Sequence, residues 1–222
     1  MSLVEKTHNG LPVVTLHHPS GASAMIFVYA AHLASWTTSD GEQQLFLSSA
    51  ADYAHGKAIR GGVPVCWPQF AERGAYGKHG FARTSSKWRI VRTSTEPHPC
   101  VVLGLSSDEE TLASFPFPFE LRYSVTLDGP SSVSVSLTVI NTGADTLEFT
   151  TALHTYFSVD DPPHLVELPR LPQEEELRIV GEENGKALRI LKMGFPDAVV
   201  WNIGQERAGG LKDLGAGLLI TG

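Results

Sequence analysis

The sequence predicts an all-β protein, a large β-sandwich, and two observations support that prediction. Short runs of alternating or β-branched residues recur at nearly regular spacing from Leu11 to His154, with turn signals between them. No convincing amphipathic helix precedes the acidic stretch Gln173–Leu177, so we expect less than a few turns of helix. We see no domain boundary, repeat or low-complexity tract, and therefore predict a single domain over residues 1–222.

The individual strands follow from local patterns. In Ser132–Ile140 the serines and Thr138 fall on one face and the valines and Leu137 on the other, which is the period of a half-buried strand. Asp128–Ser131 supplies turn residues that join this strand to its predecessor as a hairpin. The predicted strands are Leu11–His17, Ala24–Ala30, Leu45–Leu47, Lys87–Arg92, Cys100–Leu105, Glu120–Leu127, Ser132–Ile140 and Leu147–His154, with short candidates at Leu188–Lys192 and Ala198–Trp201.

The stretch Ala58–Arg83 interrupts this pattern with five glycines, two prolines, three arginines and one histidine. Glycine and proline fix tight turns and let the backbone approach a ligand closely. A loop of this length is uncommon unless it is functional or disordered, and its apolar residues argue against disorder. The alternative is a surface loop with ordinary charges. The stretch predicts a site that binds an anion and moves protons.

Composition excludes several classes of function. The 222 residues carry 17 basic and 24 acidic side chains, a net charge of −7, which argues against a nucleic-acid partner. Cys66 and Cys100 have no metal-like spacing and are interpreted as free thiols in a reducing compartment. The N-terminus lacks the apolar segment of a signal peptide, and no run approaches the length of a membrane span. We therefore expect a cytoplasmic protein without a membrane partner.

His79 and His154 are the candidate proton-transfer groups. Burial and nearby cations both lower the pKa of a histidine, and either would keep these rings neutral near pH 7. Two histidines in one cleft suggest acid–base work or metal ligation, but no third ligand with recognisable spacing stands out. Each histidine taken alone is more simply a structural residue, so the hypothesis depends on the pair.

The candidate binding residues surround these histidines in the sequence. Arg60 and Arg83 offer planar forks for a phosphate, and Lys78 adds a point charge. Gln69 would hydrogen-bond sugar hydroxyls or cap a turn. Trp67 would stack against a sugar ring or belong to the core. The simpler alternative for each cation is a surface ion pair.

Several motifs together resemble a known family. The segments AIRGGVPVCWPQF, HGFAR, FELRYSVTL, ALHTYF and PDAVVWN are similar, in the same order, to segments of the D-hexose-6-phosphate mutarotases, the glucose-6-phosphate 1-epimerase branch of the aldose 1-epimerases. The resemblance implies a galactose-mutarotase-like sandwich, no metal or organic cofactor, and a small-molecule partner, a hexose 6-phosphate. The expected activity is interconversion of the sugar's α and β anomers, by a monomer.

The resemblance also implies roles for individual residues. His154 corresponds to the acid that protonates the ring oxygen, and His79 lies in the same site. Arg60 and Arg83 correspond to substrate-binding arginines. Lys78 stands where the family usually has a substrate-contacting glutamine, so it keeps a donor and adds charge.

Two departures from the family pattern define an alternative function. The family's catalytic glutamate lies on a late strand, and if Leu218–Gly222 replaces that strand, Thr221 takes its place. The family's substrate-binding aspartate has no match in a segment that looks shortened. The alternative is therefore a sugar-phosphate-binding sandwich that lacks the catalytic glutamate and does not turn its ligand over. An interaction module without a small ligand fits the motifs poorly.

Overall fold

Two four-stranded antiparallel sheets dominate the structure, a computed structural model that describes residues 4–72, 74–158, 176–180, 187–196, 198–199 and 212–213. The strands are β1 (Val4–His8), β2 (Leu11–His17), β3 (Ser23–Phe27), β4 (His32–Thr37), β5 (Val65–Cys66), β6 (Arg89–Ser94), β7 (Cys100–Ser106), β8 (Phe119–Gly129), β9 (Ser132–Asn141), β10 (Ala152–Leu153), β11 (Glu176–Val180) and β12 (Ala187–Leu191). The described helical segments are one short helix, α1 (Glu109–Ser114), and two 3₁₀ turns, Tyr29–Ala31 and Ala82–Thr84. None of these described segments has the length and apolar character needed to cross a membrane.

Each large sheet is a meander of consecutive strands. Strands β1 to β4 form one sheet and β6 to β9 form the other, each in chain order. Two smaller pairs, β5 with β10 and β11 with β12, are also antiparallel. Consecutive antiparallel pairing is what short strands joined by tight turns allow. The predicted all-β sandwich is confirmed.

One continuous apolar core joins the two sheets. On β8 every second side chain is buried, so that the strand presents one apolar face inward. These inward residues pack in one cluster with Leu16, Ile26 and Leu33 of the first sheet. A fully buried side chain of this size stabilises the fold by about 1.5–3 kcal/mol. The inward residues of β8 are Phe119, Leu121, Tyr123, Val125 and Leu127.

Trp67 belongs to this core. Its side chain is fully buried, and its ring lies 4.4 Å from that of Phe119, 5.0 Å from that of Phe115 and 5.5 Å from that of Phe81, measured between centroids. Such tilted and edge-on contacts are favoured between aromatic rings. Of the two roles that the sequence left open for Trp67, the structure selects the core and excludes the sugar-stacking wall.

Two predicted strands are shorter than expected. Leu45–Leu47 forms only isolated pairs, of Leu45 with Phe157 and of Leu47 with Gly61. Within Leu147–His154 only Ala152–Leu153 pairs as a strand.

The predicted strand Leu147–His154 is shorter than expected because part of it contacts a distant loop. The Thr150 amide donates to the carbonyl of Pro68 at 3.0 Å, and the Thr150 hydroxyl accepts from the Phe70 amide at 2.9 Å. This segment is therefore tied to the glycine-rich loop, by a side-chain contact as well as the backbone, instead of to a sheet ladder.

Some elements were not predicted. Strands β1 and β4 were missed, and so was α1, whose capping box pairs Asp108 with Thr111. The acidic stretch Gln173–Leu177 leads into a hairpin strand, β11, and the candidate strand Leu188–Lys192 is observed as β12. The proposed late strand with Thr221 lies outside the described residues, as does part of Ala198–Trp201.

The burial of His32 predicts that the protein loses stability at acidic pH. Its ring is 1% exposed on β4, and burial lowers its pKa to about 3, against about 6.5 for an unfolded chain. Because the unfolded state then binds the extra proton, stability is highest above pH 6.5 and falls as the pH drops toward 3. From pH 6.5 to 5 we expect His32 alone to lower the free energy of unfolding by about 1–2 kcal/mol.

Urea unfolding at several pH values measures this loss. His32→Gln is expected to flatten the acid side of the stability profile, whatever its effect at pH 7. The control is the same substitution at an exposed position, His98→Gln. An unaltered slope in His32→Gln would contradict the assignment.

Candidate active site

Glycines at 61 and 62 let the loop approach the first sheet closely. Both have positive φ, +110° and +59°, and a Cβ on either would collide with backbone, with the carbonyl oxygen of Phe46 at Gly61 and that of Leu33 at Gly62. The Gly62 amide donates to Phe46 at 2.7 Å. Glycine is required here because only it combines this conformation with this contact. This close contact fixes the position of the backbone next to Arg60.

The strand pair β5–β10 brings the second motif onto this loop. Cys66 pairs with Ala152 and Val65 with Leu153. The His154 amide then donates to the Pro64 carbonyl at 3.0 Å. Backbone pairing therefore sets the position of His154 over the glycine-rich loop.

His79 and His154 meet edge to face. Their ring centroids are 5.6 Å apart, at an interplanar angle of 80°. The prediction that these two residues converge in one place agrees with this geometry. The Phe70 ring lies beside both, at 5.5 Å from His79 and 6.3 Å from His154. Tyr156 stacks on His154 at 4.9 Å with the rings nearly parallel, at 16°.

The backbone selects the tautomer of His79. The Ala71 amide donates to its Nδ1 at 3.2 Å, and the Cys66 sulfur lies 3.7 Å from the same nitrogen. An amide N–H is only a donor, so Nδ1 carries the lone pair and the ring proton sits on Nε2. His79 therefore presents an N–H donor, and its free nitrogen has no lone pair with which to accept a proton.

Both histidines are neutral at pH 7. Burial is the largest cause for His79, followed by the positive charge of Arg83 and the neighbouring His154, and together with Lys78 and Arg60 these lower its pKa to about 4. Burial also lowers the pKa of His154, and Arg60 and Arg83 act in the same direction, against a backbone hydrogen bond that raises it.

The two arginines differ in how they are engaged. Arg60 donates from Nε to Oδ2 of Asp213 at 3.0 Å and from Nη2 to Oδ1 at 3.2 Å, and its Nη1 donates to the Tyr156 hydroxyl at 3.2 Å. Arg83 donates from Nη2 to the Lys78 carbonyl at 3.3 Å. Within the described part of the chain, the buried Nε of Arg83 has no hydrogen-bond partner. Arg83 is thus the arginine with unused donor capacity.

Lys78 and Gln69 are the other two predicted binding residues. Lys78 is exposed, and its ammonium lies 3.3 Å from the carboxylate of Glu72. Gln69 is buried, and its amide donates to the carbonyls of Ala71 and Tyr76 and accepts from the Tyr76 amide. Its side chain therefore closes the loop, which corresponds to the turn-capping alternative rather than to a contact with a sugar.

Sequence reasoning missed Tyr156 and Asp213. Tyr156 lies two residues after His154 in the ALHTYF motif, so its place in the cluster had a signal. Asp213 lies 153 residues after Arg60 in the chain, and no local pattern singles it out. Among the residues that the structure describes, no three His, Cys, Asp or Glu side chains are grouped as a metal site would need.

Comparison with known proteins agrees with the motifs. Residues 12–183 match the family pattern described as aldose 1-epimerase. A protein of Cenchrus ciliaris named "Putative glucose-6-phosphate 1-epimerase" is 32% identical over 253 residues, covering 95% of this chain and 76% of the relative. An Escherichia coli (strain K12) protein of the same name is 36% identical over 155 residues, covering 68% of this chain and 50% of the relative.

A solved structure shares the fold. The crystal structure of a "putative mutarotase" from Salmonella typhimurium has a TM-score of 0.64 and 25% identity, and the match covers 89% of this chain and 65% of that one. The chain thus spans about half the length of the E. coli relative and about three quarters of the Cenchrus ciliaris relative. With a family match over most of its length, the chain belongs to the aldose 1-epimerase family.

Proposed function

We propose that this chain binds a hexose 6-phosphate and interconverts its α and β anomers by acid–base ring opening. The observation that carries the proposal is the contact between His79 and His154, with ring centroids 5.6 Å apart, in the field of two arginines. In ring opening the C1–O5 bond breaks as O5 gains a proton from the acid and the C1 hydroxyl loses its proton to solvent water. Rotation about C1–C2 and reclosure then produce the other anomer.

The phosphate is assigned to Arg83, with Lys78 beside it. Arg83 has no carboxylate partner among the described residues, and the side chain of Lys78 is exposed. A planar guanidinium binds phosphate through parallel N–H donors, whereas an ammonium acts as a point charge. The phosphate also adds negative charge near the histidines, which raises their pKa values when substrate is bound.

His154 is proposed as the acid that protonates the ring oxygen. Its ring stacks on Tyr156 and meets His79 edge to face, and these contacts restrict its rotation. A positioned acid of this kind contributes about 10²–10⁴-fold to the rate. His79 is proposed to donate an Nε2–H hydrogen bond to a substrate oxygen, because the Ala71 amide holds its other nitrogen as an acceptor.

A second candidate function, binding without turnover, has an observation in its favour. Both oxygens of Asp213 accept from Arg60, and the free nitrogen of His79 carries a proton. Neither group is therefore arranged to accept the proton of the anomeric hydroxyl. A protein with these contacts would hold the sugar phosphate and leave the anomers unchanged.

Exchange spectroscopy by NMR separates the two functions. Cross-peaks between α- and β-glucose 6-phosphate that grow with protein concentration, above the spontaneous rate, support the mutarotase. Saturable shifts of the ³¹P resonance without added exchange support the binding protein. The absence of both effects would contradict each of them.

Arg83→Ala tests the phosphate assignment. Loss of a charge-assisted hydrogen bond costs roughly 1.5–3 kcal/mol, so the affinity for glucose 6-phosphate is expected to fall about tenfold or more. Isothermal titration measures the change, with glucose as the ligand that lacks the phosphate. The control is Arg122→Ala, which removes an arginine paired with Glu120 on β8. Equal affinity of the parent for glucose and glucose 6-phosphate would overturn the assignment.

A further inference from the structure

Asp213 makes more contacts to the candidate site than its place in the sequence suggests. Its carboxylate accepts two hydrogen bonds from Arg60, with Nε–Oδ2 at 3.0 Å and Nη2–Oδ1 at 3.2 Å, so that the guanidinium is held by two of its nitrogens. Its backbone carbonyl accepts from the hydroxyl of Ser48 at 2.6 Å. Ser48 is itself buried, so Asp213 is attached through both its side chain and its backbone.

This attachment changes what Arg60 can do. The Asp213 carboxylate occupies two donor nitrogens of the guanidinium and offsets its positive charge. The remaining described contact is from Nη1 to the hydroxyl of Tyr156, the residue that stacks on His154. The Arg60 guanidinium therefore contacts Tyr156, which stacks on His154, the proposed acid. Because Asp213 occupies two of its nitrogens, Arg60 does not offer a phosphate a pair of parallel donors.

We propose that Asp213 is a positioning residue of this site, which fixes the Arg60 guanidinium so that Arg60 serves the sugar while Arg83 receives the phosphate. The inference rests on the proposed binding of a hexose 6-phosphate. It gives each arginine a different role, according to the groups that the arginine contacts. The charge of Arg60 is offset by Asp213, and its remaining donor contacts Tyr156, which stacks on His154, whereas Arg83 has no carboxylate partner among the described residues.

The division predicts a selective change in binding when the carboxylate is lost. In Asp213→Asn the guanidinium of Arg60 keeps its charge but loses its fixed orientation. Affinity for glucose 6-phosphate is expected to fall about tenfold or more, because a misplaced contact forfeits most of its interaction. Affinity for inorganic phosphate, which is assigned to Arg83 and Lys78 and does not involve Arg60, is expected to stay the same or to increase in the more positive site.

Titrations of glucose 6-phosphate and of inorganic phosphate into the full chain test the role of Asp213. The quantity of interest is the ratio of the two dissociation constants, which a loss of folding would leave unchanged. Asp213→Glu restores the charge and is expected to recover part of the ratio. Ser48→Ala loosens the backbone of Asp213 without altering charge and is expected to shift the ratio in the same direction by a smaller amount.

The matched control is Glu120→Gln, which removes the carboxylate from another arginine–carboxylate pair, that of Arg122 and Glu120 on β8. It is expected to leave both affinities unchanged. A parallel loss of both affinities in Asp213→Asn, which leaves their ratio unchanged, would reduce Asp213 to a structural residue. Two unchanged affinities would remove its role altogether. Failure of the parent to bind glucose 6-phosphate in preference to phosphate would instead overturn the proposed function, together with this inference.

Discussion

Replacing His154 with asparagine is expected to lower the protein-dependent rate of anomer exchange by about 10²–10⁴-fold, the usual contribution of a positioned acid. This corresponds to roughly 3–5 kcal/mol of activation free energy. Asparagine keeps a polar group of similar reach but cannot deliver a proton to the ring oxygen. The proposed phosphate contact of Arg83 does not involve His154, so we expect the affinity for inorganic phosphate to change little.

Exchange spectroscopy on α- and β-glucose 6-phosphate measures the rate, and ³¹P titration measures the affinity. His98→Asn is the matched control, since His98 is exposed and its ring faces His18, outside the site. An exchange rate in His154→Asn equal to that of the parent would show that another group supplies the proton. A loss of phosphate affinity as large as the loss of rate would point to a disturbed fold.

Gly80→Ala is expected to destabilise the protein by about 2–5 kcal/mol and to abolish binding of glucose 6-phosphate. Gly80 has φ +63°, and an alanine pays about 1–2 kcal/mol in this left-handed region. Its Cβ would also overlap the carbonyl of Trp67, which is backbone and cannot move aside as a flexible side chain would. Overpacking of this kind costs typically 1–3 kcal/mol. His79, the adjacent residue, would lose its position against His154.

Gly77→Ala is the control within the same loop. A Cβ at Gly77 meets no atom within 4 Å, and its φ lies outside the left-handed region. We expect this variant to unfold within about 0.5 kcal/mol of the parent, as surface substitutions usually do. Urea unfolding compares the two. Equal stability of Gly80→Ala and Gly77→Ala would show that the Trp67–Gly80 contact is not a constraint on this loop.

The sequence predicted the elements whose signal is local. Strands β8 and β9 alternate with a period of two and share a tight turn, and both appear within a few residues of their expected bounds. Strand β4, from His32 to Thr37, was missed because its first three residues are all buried and alternation is confined to its second half. Burial of that kind depends on what packs on either face, which a single segment does not reveal.

The same distinction applies to the candidate site. The two histidines and the two arginines stand in recognisable motifs, so their roles could be proposed from the sequence. The state of each group could not. The tautomer of His79 depends on the Ala71 amide, and the engagement of Arg60 depends on Asp213, a residue of a distant segment. Both are tertiary contacts, and neither leaves a trace in the spacing of residues.

The pairing of Arg60 with Asp213 also bears on how the protein acquires its site during synthesis. The two residues are 153 positions apart, and Ser48 and Asp213 are 165 apart. Closing so long a loop is entropically costly and comes late in folding. A nascent chain that has emerged as far as β9 contains all the strands of both large sheets, yet its Arg60 still lacks the carboxylate. On the ribosome, the sandwich can therefore form before the arginine is locked in place.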